Sequence, residues 1–394
     1  MSDLIAVDEA RRRVLAEVEL LPAGPVALAD ALERVLAEDM TSAIDVPPFD
    51  SSAMDGFAVR AADPGVLRIL GESRAGHPAG VHVEPGTAVR ISTGAVVPPG
   101  AQAVVTLERT EPAEGAVRAE AVALGENVRR AGEDVTAGDV VLPAGTVLGP
   151  AELGVAASVG RSRAQCTARP RVALVMTGDE LAEPGAELAP GRIYSSNARV
   201  LAGLVQRAGA ELVTTEQAGD TAQATRDALD RALASADVVC ASGGVSVGPH
   251  DHVKAALGDL SVTERFWGVR LRPGKPTWFG VRDRVLAFGL PGNPVSALVT
   301  FLLFVRPALA ALQGADPAAR RGRGRLTEAV SRNPRRDEAL RVTLDARDDG
   351  WHVTPTGPQG SHMLTSVVGA DALAMVTAGD GHAEAGHLLD LELL

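Results

Sequence analysis

Apolar residues follow two different spacings in the first part of the chain. Residues 8–19 and 28–39 carry apolar positions at helical intervals and predict two helices, and residues 150–159 predict a third. Over residues 45–139 the apolar segments are instead short and bounded by Gly and Pro, and no helical period lasts. That second pattern is typical of the hairpins and turns of a small β domain.

In the middle of the chain strand-like and helix-like segments alternate. The run RVALVMT at 171–177 is apolar throughout, as expected of a strand that is buried on both faces of a sheet. Helices are predicted to begin at Asn197, as an N-cap, and at Asn293, where Pro294 follows in the favoured first helical position. The series predicts a mostly parallel sheet with helices on both faces.

These changes in pattern divide the chain into four units. Residues 1–44 together with 140–168 are predicted to form a small helical N-terminal and linker domain, into which residues 45–139 are inserted as a β domain. Residues 169–318 are predicted to form the central α/β sheet domain, and residues 325–394 a C-terminal β domain. The expected fold class is therefore a multidomain α/β plus β protein.

Composition and charge exclude several classes of protein. A net charge of −12 makes the chain a poor general binder of nucleic acid, whose affinity rests on neutralised phosphates. Two cysteines, Cys166 and Cys240, cannot build a disulfide framework, and the polar first residues are unlike a secretory signal. The longest apolar run, from Ala297 to Val305, is far shorter than the ~20 residues of a membrane helix. We therefore expect a cytoplasmic protein that binds neither nucleic acid nor membrane.

Lysine is almost absent from this sequence. Of 38 basic residues, only Lys254 and Lys275 are lysines. In a sequence whose basic residues are almost all arginine, a retained lysine indicates a position where a compact ammonium is needed instead of a planar guanidinium. For Lys254, a specific role and retention by chance are equal alternatives.

Polar or glycine-rich turns follow the predicted strands of the sheet domain. Because ligands bind at the carboxyl ends of parallel strands, we expect all of these turns at one edge of the sheet. Glycines let a phosphate approach the backbone, and helix starts present free amides to anions. The turns are Thr177-Gly178-Asp179-Glu180, Ala218-Gly219-Asp220, Ser242-Gly243-Gly244-Val245-Ser246-Val247-Gly248, His250-Asp251, Arg272-Pro273-Gly274-Lys275-Pro276 and Pro291-Gly292-Asn293-Pro294.

Glu180, Asp220 and Asp251 bring three carboxylates to this edge. Each has an ordinary alternative: Glu180 as a loop acid, Asp220 as a cap of the next helix, and Asp251 as an acid of a first helical turn. Carboxylates beside a phosphate repel it unless a cation lies between them, and Mg²⁺ is commonly bound by carboxylates, waters and phosphate oxygens. Together, the three acids predict a phosphate or pyrophosphate site with Mg²⁺.

A second polar segment, FDSSAMDGFAV, lies in the predicted β domain at residues 49–59. Its Asp55-Gly56 step is consistent with a simple hairpin turn. It is equally consistent with a loop that presents a carboxylate. The spacing of the residues does not decide between these two interpretations.

A set of motifs in one order along residues 45–300 identifies a resemblance to a known family. The chain resembles the molybdopterin molybdenumtransferases, which comprise bacterial MoeA proteins and the E-domains of gephyrin and the plant Cnx proteins. The motifs are FDSSAMDGFAVR, STGA, GEDV, TGDEL, SGGVSVG followed by HDHVK, RPGKP and LPGNPVSA.

The resemblance implies a homodimer of elongated, four-domain subunits. The sheet domain would be molybdopterin-binding-like and the C-terminal β domain barrel-like. The implied substrates are adenylylated molybdopterin and molybdate, and the implied reaction places molybdenum on the dithiolene and releases AMP. Mg²⁺ is the implied cofactor, and a molybdopterin adenylyltransferase is an expected partner.

The resemblance also implies roles for individual residues. The implied catalytic residues are Asp55, Thr93, Asp134 and Lys275. The implied metal ligands are Glu180, Asp220 and Asp251. The implied substrate-binding residues are Gly178, Ser242, Gly243, Gly244, Ser246, Arg272, Pro276, Pro291, Asn293, Pro294, Ser296, Arg341 and Ser361. Arg272 stands where the family commonly has lysine, so a planar guanidinium replaces a compact ammonium at this position.

Two other functions are alternatives to the transferase. A molybdopterin adenylyltransferase or a CinA-like pyrophosphatase would share the sheet domain with its TGDE and SGG turns. A non-catalytic scaffold is a different class, since gephyrin clusters receptors, but the chain has no long linker or fused module. The SSAMDG segment and the C-terminal β domain favour the transferase.

The order of the domains and the resemblance together imply an active site shared by two subunits. Asp55 is separated from the sheet domain by the segment near 150–168, so an elongated subunit would carry Asp55 far from its own Glu180. A two-fold dimer would place the β domain of one chain over the sheet edge of the other, with two equivalent sites. Asp55 and Thr93 would then reach the sheet edge from the neighbouring subunit.

Overall fold

The computed structural model describes residues 4–245 and 251–394. Most of the helices belong to an α/β domain in the middle of the chain, and β sheets lie on either side of it in sequence. The α-helices are α1 (Val7–Leu15), α2 (Pro150–Ser158), α3 (Ser196–Arg207), α4 (Ala222–Ser235), α5 (Val253–Asp259), α6 (Pro294–Thr300) and α7 (Arg306–Leu312), and the π-helical turn Phe301–Val305 joins the last two.

Short strands dominate the first 167 residues. Six of them, in the order β7-β4-β6-β5-β9-β8, form the sheet of the inserted domain, so the β character predicted for residues 45–139 is confirmed. The strands are β1 (Ala23–Ala27), β2 (Met40–Thr41), β3 (Ser51–Ser52), β4 (Gly56–Val59), β5 (Gly65–Ser73), β6 (Thr87–Ile91), β7 (Ala103–Thr106), β8 (Thr110–Ala113), β9 (Ala116–Ala119), β10 (Val128–Arg129), β11 (Val140–Leu142) and β12 (Arg163–Thr167).

Two antiparallel pairs connect the chain before the insertion with the chain after it. β1 pairs with β12, and β2 pairs with β11 directly at the two ends of the inserted domain. The apolar side chains of both segments share one buried cluster, which includes Leu36, Leu148 and Ala156 of α2. The segments before and after the insertion therefore pack as one unit at the two ends of the inserted domain.

Residues 28–39 do not form the predicted helix. Only Leu28–Asp30 make a 3-10 turn, while Val35 and Leu36 form isolated β-bridges with the returning segment. Both side chains are buried, so pairing across the chain prevails over a weak local helical preference. Within its described residues, the predicted helical domain thus contains two α-helices, α1 and α2, together with short strands.

The first predicted helix exists as α1, but it is shorter than 8–19 and packs in a different place. Val7 and Val14 belong to the core of the α/β domain, and Arg11 Nε donates to a carbonyl of the π-helical turn at 3.1 Å. The helix α2 contributes Ala156 to the separate N-terminal cluster. Helix α1 therefore belongs to the core of the α/β domain and not, as the prediction of one helical domain from 1–44 and 140–168 requires, to the unit that contains the 150–159 helix.

The α/β domain is built on a sheet in the order β16-β13-β17-β21-β20-β18, which confirms the mostly parallel sheet. The first four strands are parallel and the last two antiparallel. Thr177 pairs with Ala218 and Ser242 with Leu290, so the parallel strands end at one edge. The strands of this region are β13 (Arg171–Thr177), β14 (Leu181–Ala182), β15 (Ile193–Tyr194), β16 (Glu211–Ala218), β17 (Val238–Ser242), β18 (Thr263–Trp267), β19 (Leu271–Arg272), β20 (Trp278–Arg282) and β21 (Val285–Leu290).

Helices cover both faces of this sheet. Along β13, Leu174 and Met176 pack with α1, α3, α6 and α7, while Ala173 and Val175 pack with α4 and α5 on the opposite face. Side chains of a strand alternate between the two faces. A strand covered on both sides therefore has the unbroken apolar sequence seen in RVALVMT.

The helical stretch Pro294–Leu312 is long and apolar enough to cross a membrane by length and composition, with a mean hydropathy of 2.0. However, 83% of its most apolar window is buried inside the protein. The helical stretch continues past Arg306, the residue that ends the apolar run in the sequence. Arg306 Nη2 donates to Glu392 at 2.8 Å, so the charge of Arg306 is compensated within the fold. Its apolar composition is that of a core helix.

The C-terminal strands form a closed ring. They follow in the order β24-β25-β22-β28-β26, and β26 pairs again with β24, which confirms a barrel-like sheet. Strand β19 of the α/β domain pairs in parallel with β24, so the RPGKP segment is attached to the barrel. The strands are β22 (Arg321–Leu326), β23 (Val330–Ser331), β24 (Asp337–Arg347), β25 (Gly350–Pro355), β26 (Ala372–Val376), β27 (His382–Ala383) and β28 (Leu388–Leu393).

Candidate active site

A cleft of about 760 Å³ lies at the carboxyl edge of the parallel strands. The turns after β13, β16, β17 and β21 line it, and α3 and α6 begin at its wall. Helix starts and glycine turns together favour an anionic ligand. The predicted site residues in the wall are Gly178, Glu180, Asp220, Ser242, Gly243, Gly244, Asp251, Pro276, Pro291, Asn293 and Pro294.

The turn after β17 packs closely against the end of β13. Gly243 and Gly244 have φ angles of +94° and +63°, in the region that favours glycine. A Cβ on Gly243 would lie 2.6 Å from Thr177 Oγ1, and the Gly243 amide donates to the Leu290 carbonyl at 3.2 Å. The turn is therefore fixed between two strands, with its backbone at the wall of the cleft.

Asn197 bridges two turns of the cleft instead of capping α3. Its Nδ2 donates to Ser242 Oγ at 2.9 Å and to the Gly292 carbonyl at 2.8 Å. The N-cap residue is Ser195, so the predicted capping role of Asn197 is wrong. Ser242 Oγ donates in turn to the Pro291 carbonyl at 3.3 Å. These bonds hold the turns after β17 and β21 in one arrangement.

The structure brings Glu180, Asp220 and Asp251 to the wall of the same cleft. Asp220 does not cap α4, because Thr221 Oγ1 accepts the capping bond from the helix backbone at 3.2 Å. Instead Asp220 Oδ2 accepts from the Asp179 amide at 3.1 Å, and Asp179 Oδ1 accepts from the Asp220 amide at 3.2 Å. This reciprocal pair joins the turns after β13 and β16.

The carboxylates are spread along the cleft. Within the described part of the chain no three His, Cys, Asp or Glu side chains form a group that holds a metal by itself. Mg²⁺ usually keeps several waters and takes one or two carboxylates plus substrate phosphates. This donor set fits a Mg²⁺ ion that is held jointly with a phosphate ligand, and it does not fit an all-protein metal cage.

The C-terminal domain closes one side of the cleft. The Val295 amide donates to the Ser361 carbonyl at 3.1 Å, and Asn293 Nδ2 donates to Ser361 Oγ at 3.0 Å. These bonds tie the start of α6 to a loop of the barrel, and the exposed His362 next in sequence lines the cleft. Ser361 therefore supports the wall, and His362 forms part of it.

Arg341 lies beneath this loop, so the expectation that it lines the substrate cleft is wrong. Its side chain is fully buried, and its guanidinium donates to Ser366 Oγ, the Pro358 carbonyl and the Gly360 carbonyl at 3.2, 3.3 and 3.4 Å. Burial lowers the pKa of the Arg341 guanidinium to about 10. Within the described ranges its Nη1 has no hydrogen-bond partner. Arg341 thus holds in place the barrel loop that carries His362, which lines the cleft.

The RPGKP segment contributes Pro276 to the cleft wall. Lys275 is exposed beside it, and its ammonium forms no ion pair with a described residue. Arg272 Nη1 lies 2.9 Å from Oε1 of Glu338, a buried acid of the barrel, so its charge is already compensated. Ser296 is buried in the first turn of α6 and does not line the cleft.

Asp55, Thr93 and Asp134 lie in the inserted β region, and the cleft wall of their own chain does not include them. Asp55 Oδ1 accepts from the Thr93 amide at 2.7 Å and from Thr93 Oγ1 at 3.2 Å. The Asp55-Gly56 step is not a hairpin turn, because β3 pairs with β10 while β4, which begins at Gly56, pairs with β6 and β7. The two residues form an exposed polar pair on the inserted domain.

Some site residues were not predicted. Thr177 and Gly292 belong to segments that the sequence singles out, whereas Tyr194 of the short strand β15 and His362 of a barrel loop lie in segments without a recognisable pattern. Ser246, a predicted substrate-binding residue, lies outside the described residues. The unpredicted residues of the wall are Met176, Thr177, Leu181, Ile193, Tyr194, Ser196, Asn197, Val245, Gly292 and His362.

Fold and cleft together define a multidomain α/β protein with a cleft at the carboxyl edge of a parallel sheet, where helix starts and glycine turns favour an anionic ligand. Three regions of known proteins match it in order: the MoeA N-terminal region (domain I and II) over residues 5–160, a probable molybdopterin binding domain over 173–311, and the MoeA C-terminal region (domain IV) over 323–394. The chain belongs to the molybdopterin molybdenumtransferase family, to which the MoeA proteins belong.

Relatives match over nearly the whole chain. Molybdopterin molybdenumtransferase 2 of Mycobacterium tuberculosis is 39% identical over 363 residues, which cover 88% of this chain and 89% of the relative. The molybdopterin molybdenumtransferase of Haemophilus influenzae is 35% identical over 99% of this chain and 98% of its own. The crystal structure of the molybdopterin biosynthesis MoeA protein from Pyrococcus horikoshii superposes with a TM-score of 0.85 at 28% identity over 100% of both chains.

Proposed function

We propose that this protein inserts molybdenum from molybdate into adenylylated molybdopterin and releases AMP, as a step of molybdenum cofactor biosynthesis. The observation that carries the proposal is the cleft at the carboxyl edge, whose wall contains glycine turns, helix starts and three carboxylates. An adenylyltransferase or a pyrophosphatase would use a similar sheet domain. The matches to the MoeA N-terminal and C-terminal regions favour the transferase over both alternatives and over a scaffold.

In this proposal the cleft holds the phosphoanhydride of the adenylylated pterin. The turns of Gly178, Gly243 and Gly244 let phosphate oxygens approach the backbone, and the positive end of the α6 dipole at Pro294 favours an anion. Glu180, Asp220 and Asp251 would hold Mg²⁺. That ion would neutralise phosphate charge while the phosphoanhydride bond breaks.

Molybdate, a tetrahedral dianion, would bind near the RPGKP segment. Lys275 is an exposed cation beside the cleft wall, and its ammonium is available to an anion. Arg272 would act indirectly, because Glu338 already binds its guanidinium. Ser296 and Arg341 would support the pocket from below.

Lys275→Ala is expected to raise the molybdate concentration needed for half-maximal AMP release about tenfold or more, because a charge-assisted contact to the dianion is lost. Binding of the adenylylated pterin should change little. Steady-state titrations of each substrate against the other provide the measurement. An equal loss of affinity for both substrates would instead assign Lys275 to the nucleotide phosphates.

The proposed enzyme is a cytoplasmic homodimer whose active site is shared between subunits. Asp55 and Thr93 would enter the cleft from the neighbouring subunit, and Asp134 would belong to the same contributed surface. A molybdopterin adenylyltransferase, which makes the adenylylated substrate, is the expected partner enzyme. The exposed Asp55–Thr93 pair supports this arrangement because it leaves a polar surface available to a second chain.

The direct test is to mix the purified protein with adenylylated molybdopterin, Mg²⁺ and molybdate and to follow AMP by chromatography. We expect AMP and a molybdenum-loaded pterin in equal amounts, and no AMP when Mg²⁺ is chelated. Pyrophosphate as the phosphate product, or AMP without molybdenum transfer, would contradict the transferase function.

A further inference from the structure

Lys254 lies outside the proposed molybdate site but is connected to the glycine turn of the cleft. Its Nζ is 3.0 Å from Glu264 Oε2 and 5.3 Å from the ring centroid of Trp267, a cation–π distance. Trp267 Nε1 donates to the Val245 carbonyl at 3.1 Å, and Val245 lines the cleft. One of the two lysines of the chain therefore contacts the ring that holds the end of the turn.

A second contact holds the Glu264 carboxylate in place. Its Oε2 also accepts from Trp278 Nε1 at 2.7 Å. The Trp278 side chain is 1% exposed and lies over Gly280, where a Cβ would collide with the ring. The indole of Trp278 thus has little freedom, and it fixes the carboxylate that binds Lys254.

Val245 is fixed by its side chain as well as by its carbonyl. The side chain is 2% exposed and packs on Gly289, where a Cβ would come within 2.7 Å of Val245 Cγ1. One residue earlier, the Gly244 carbonyl accepts from the Val253 amide at 3.2 Å. The bond from Trp267 completes these restraints on the end of the turn.

We propose that Trp267, oriented by Lys254 and Glu264, is a positioning residue for the glycine turn 242–245 and through it for the substrate. This inference rests on the proposed function of the cleft. A lysine suits the position, because its compact ammonium contacts a carboxylate and a ring face at once. The assignment gives a specific role to the lysine that the sequence left unexplained.

Trp267→Phe removes the N–H donor and keeps an aromatic ring under Lys254. We expect the KM for adenylylated molybdopterin to rise between about twofold and tenfold, as for the loss of one hydrogen bond. The kcat should stay close to that of the wild type, because the turn contacts ground state and transition state alike. Lys254→Met should shift KM in the same direction by a smaller factor. Trp351→Phe is the matched control, since Trp351 is 46% exposed on the barrel.

Amide hydrogen exchange without substrate tests the positioning role separately from the reaction. In Trp267→Phe the amides of Gly243 and Val253 should exchange faster than in the wild type, and in Trp351→Phe they should not. If the wild-type protein releases no AMP, the proposed function fails while the exchange result still tests the restraint. An unchanged KM with unchanged exchange in both Trp267→Phe and Lys254→Met would overturn the inference. So would a fall in kcat and melting temperature without a change in KM.

Discussion

Asp251→Ala is expected to reduce AMP release by about a thousandfold or more, because the cleft loses a carboxylate of the proposed Mg²⁺ and phosphate site. Asp251 lies at the cleft wall and is only partly buried. The melting temperature should therefore stay within a few degrees of that of the wild type. A coupled AMP assay and a thermal melt of the same preparation provide the two measurements.

Asp259→Ala is the matched control for this variant. Asp259 is the exposed last residue of α5, on the helix that begins just after Asp251, and its loss should leave AMP release unchanged. Asp251→Asn keeps the shape of the side chain and removes its charge, so it should be nearly as inactive as the alanine variant. Substantial activity in both Asp251 variants would exclude a charge-based role for this residue.

Mixing inactive Asp55→Ala and Asp251→Ala chains is expected to restore activity. In a two-fold dimer with shared sites, a mixed dimer contains one site with both acids intact and one with neither. After random exchange half of the dimers are mixed, so about a quarter of the wild-type activity per chain should return. The structural basis is that Asp55 and Thr93 form an exposed pair and do not line the cleft of their own chain.

Subunit exchange has to be demonstrated in the same mixture, for example with one chain carrying an affinity tag. Two Asp55→Ala chains with different tags serve as the control and should stay inactive after exchange. Proven exchange without recovered activity would place both acids within one chain. Recovery would assign the inserted domain of one subunit to the cleft of the other.

The sheet and its cleft were predictable because they depend on local signals. The apolar run 171–177 and the glycine turns follow directly from burial on two faces and from close backbone contacts. The parallel order then brings the strand ends together, so Glu180, Asp220 and Asp251 reach one cleft although 71 positions separate the first from the last along the chain. Sequence alone was sufficient for this part of the site.

The errors concern contacts between distant segments. Residues 28–39 have helical spacing, but bridges to the segment after the insertion determine their structure. Arg341 was expected at the substrate because the family resemblance implied it, and only the packing of the barrel loop shows that its side chain is enclosed. His362 is near the cleft because two domains meet there. The segment that carries His362 has no periodic signal in the sequence.

The pairing of β2 with β11 has a consequence for how the molecule folds. In the unfolded chain the segments that become β2 and β11 are the two ends of a long loop. The entropy lost on closing a loop grows with its length. When the inserted β domain folds first, it brings its own two ends close together, and most of that entropy is lost within its own cooperative transition. The N-terminal and linker segments then meet as near neighbours. An insertion that folds first would act as a folding template for the unit that surrounds it.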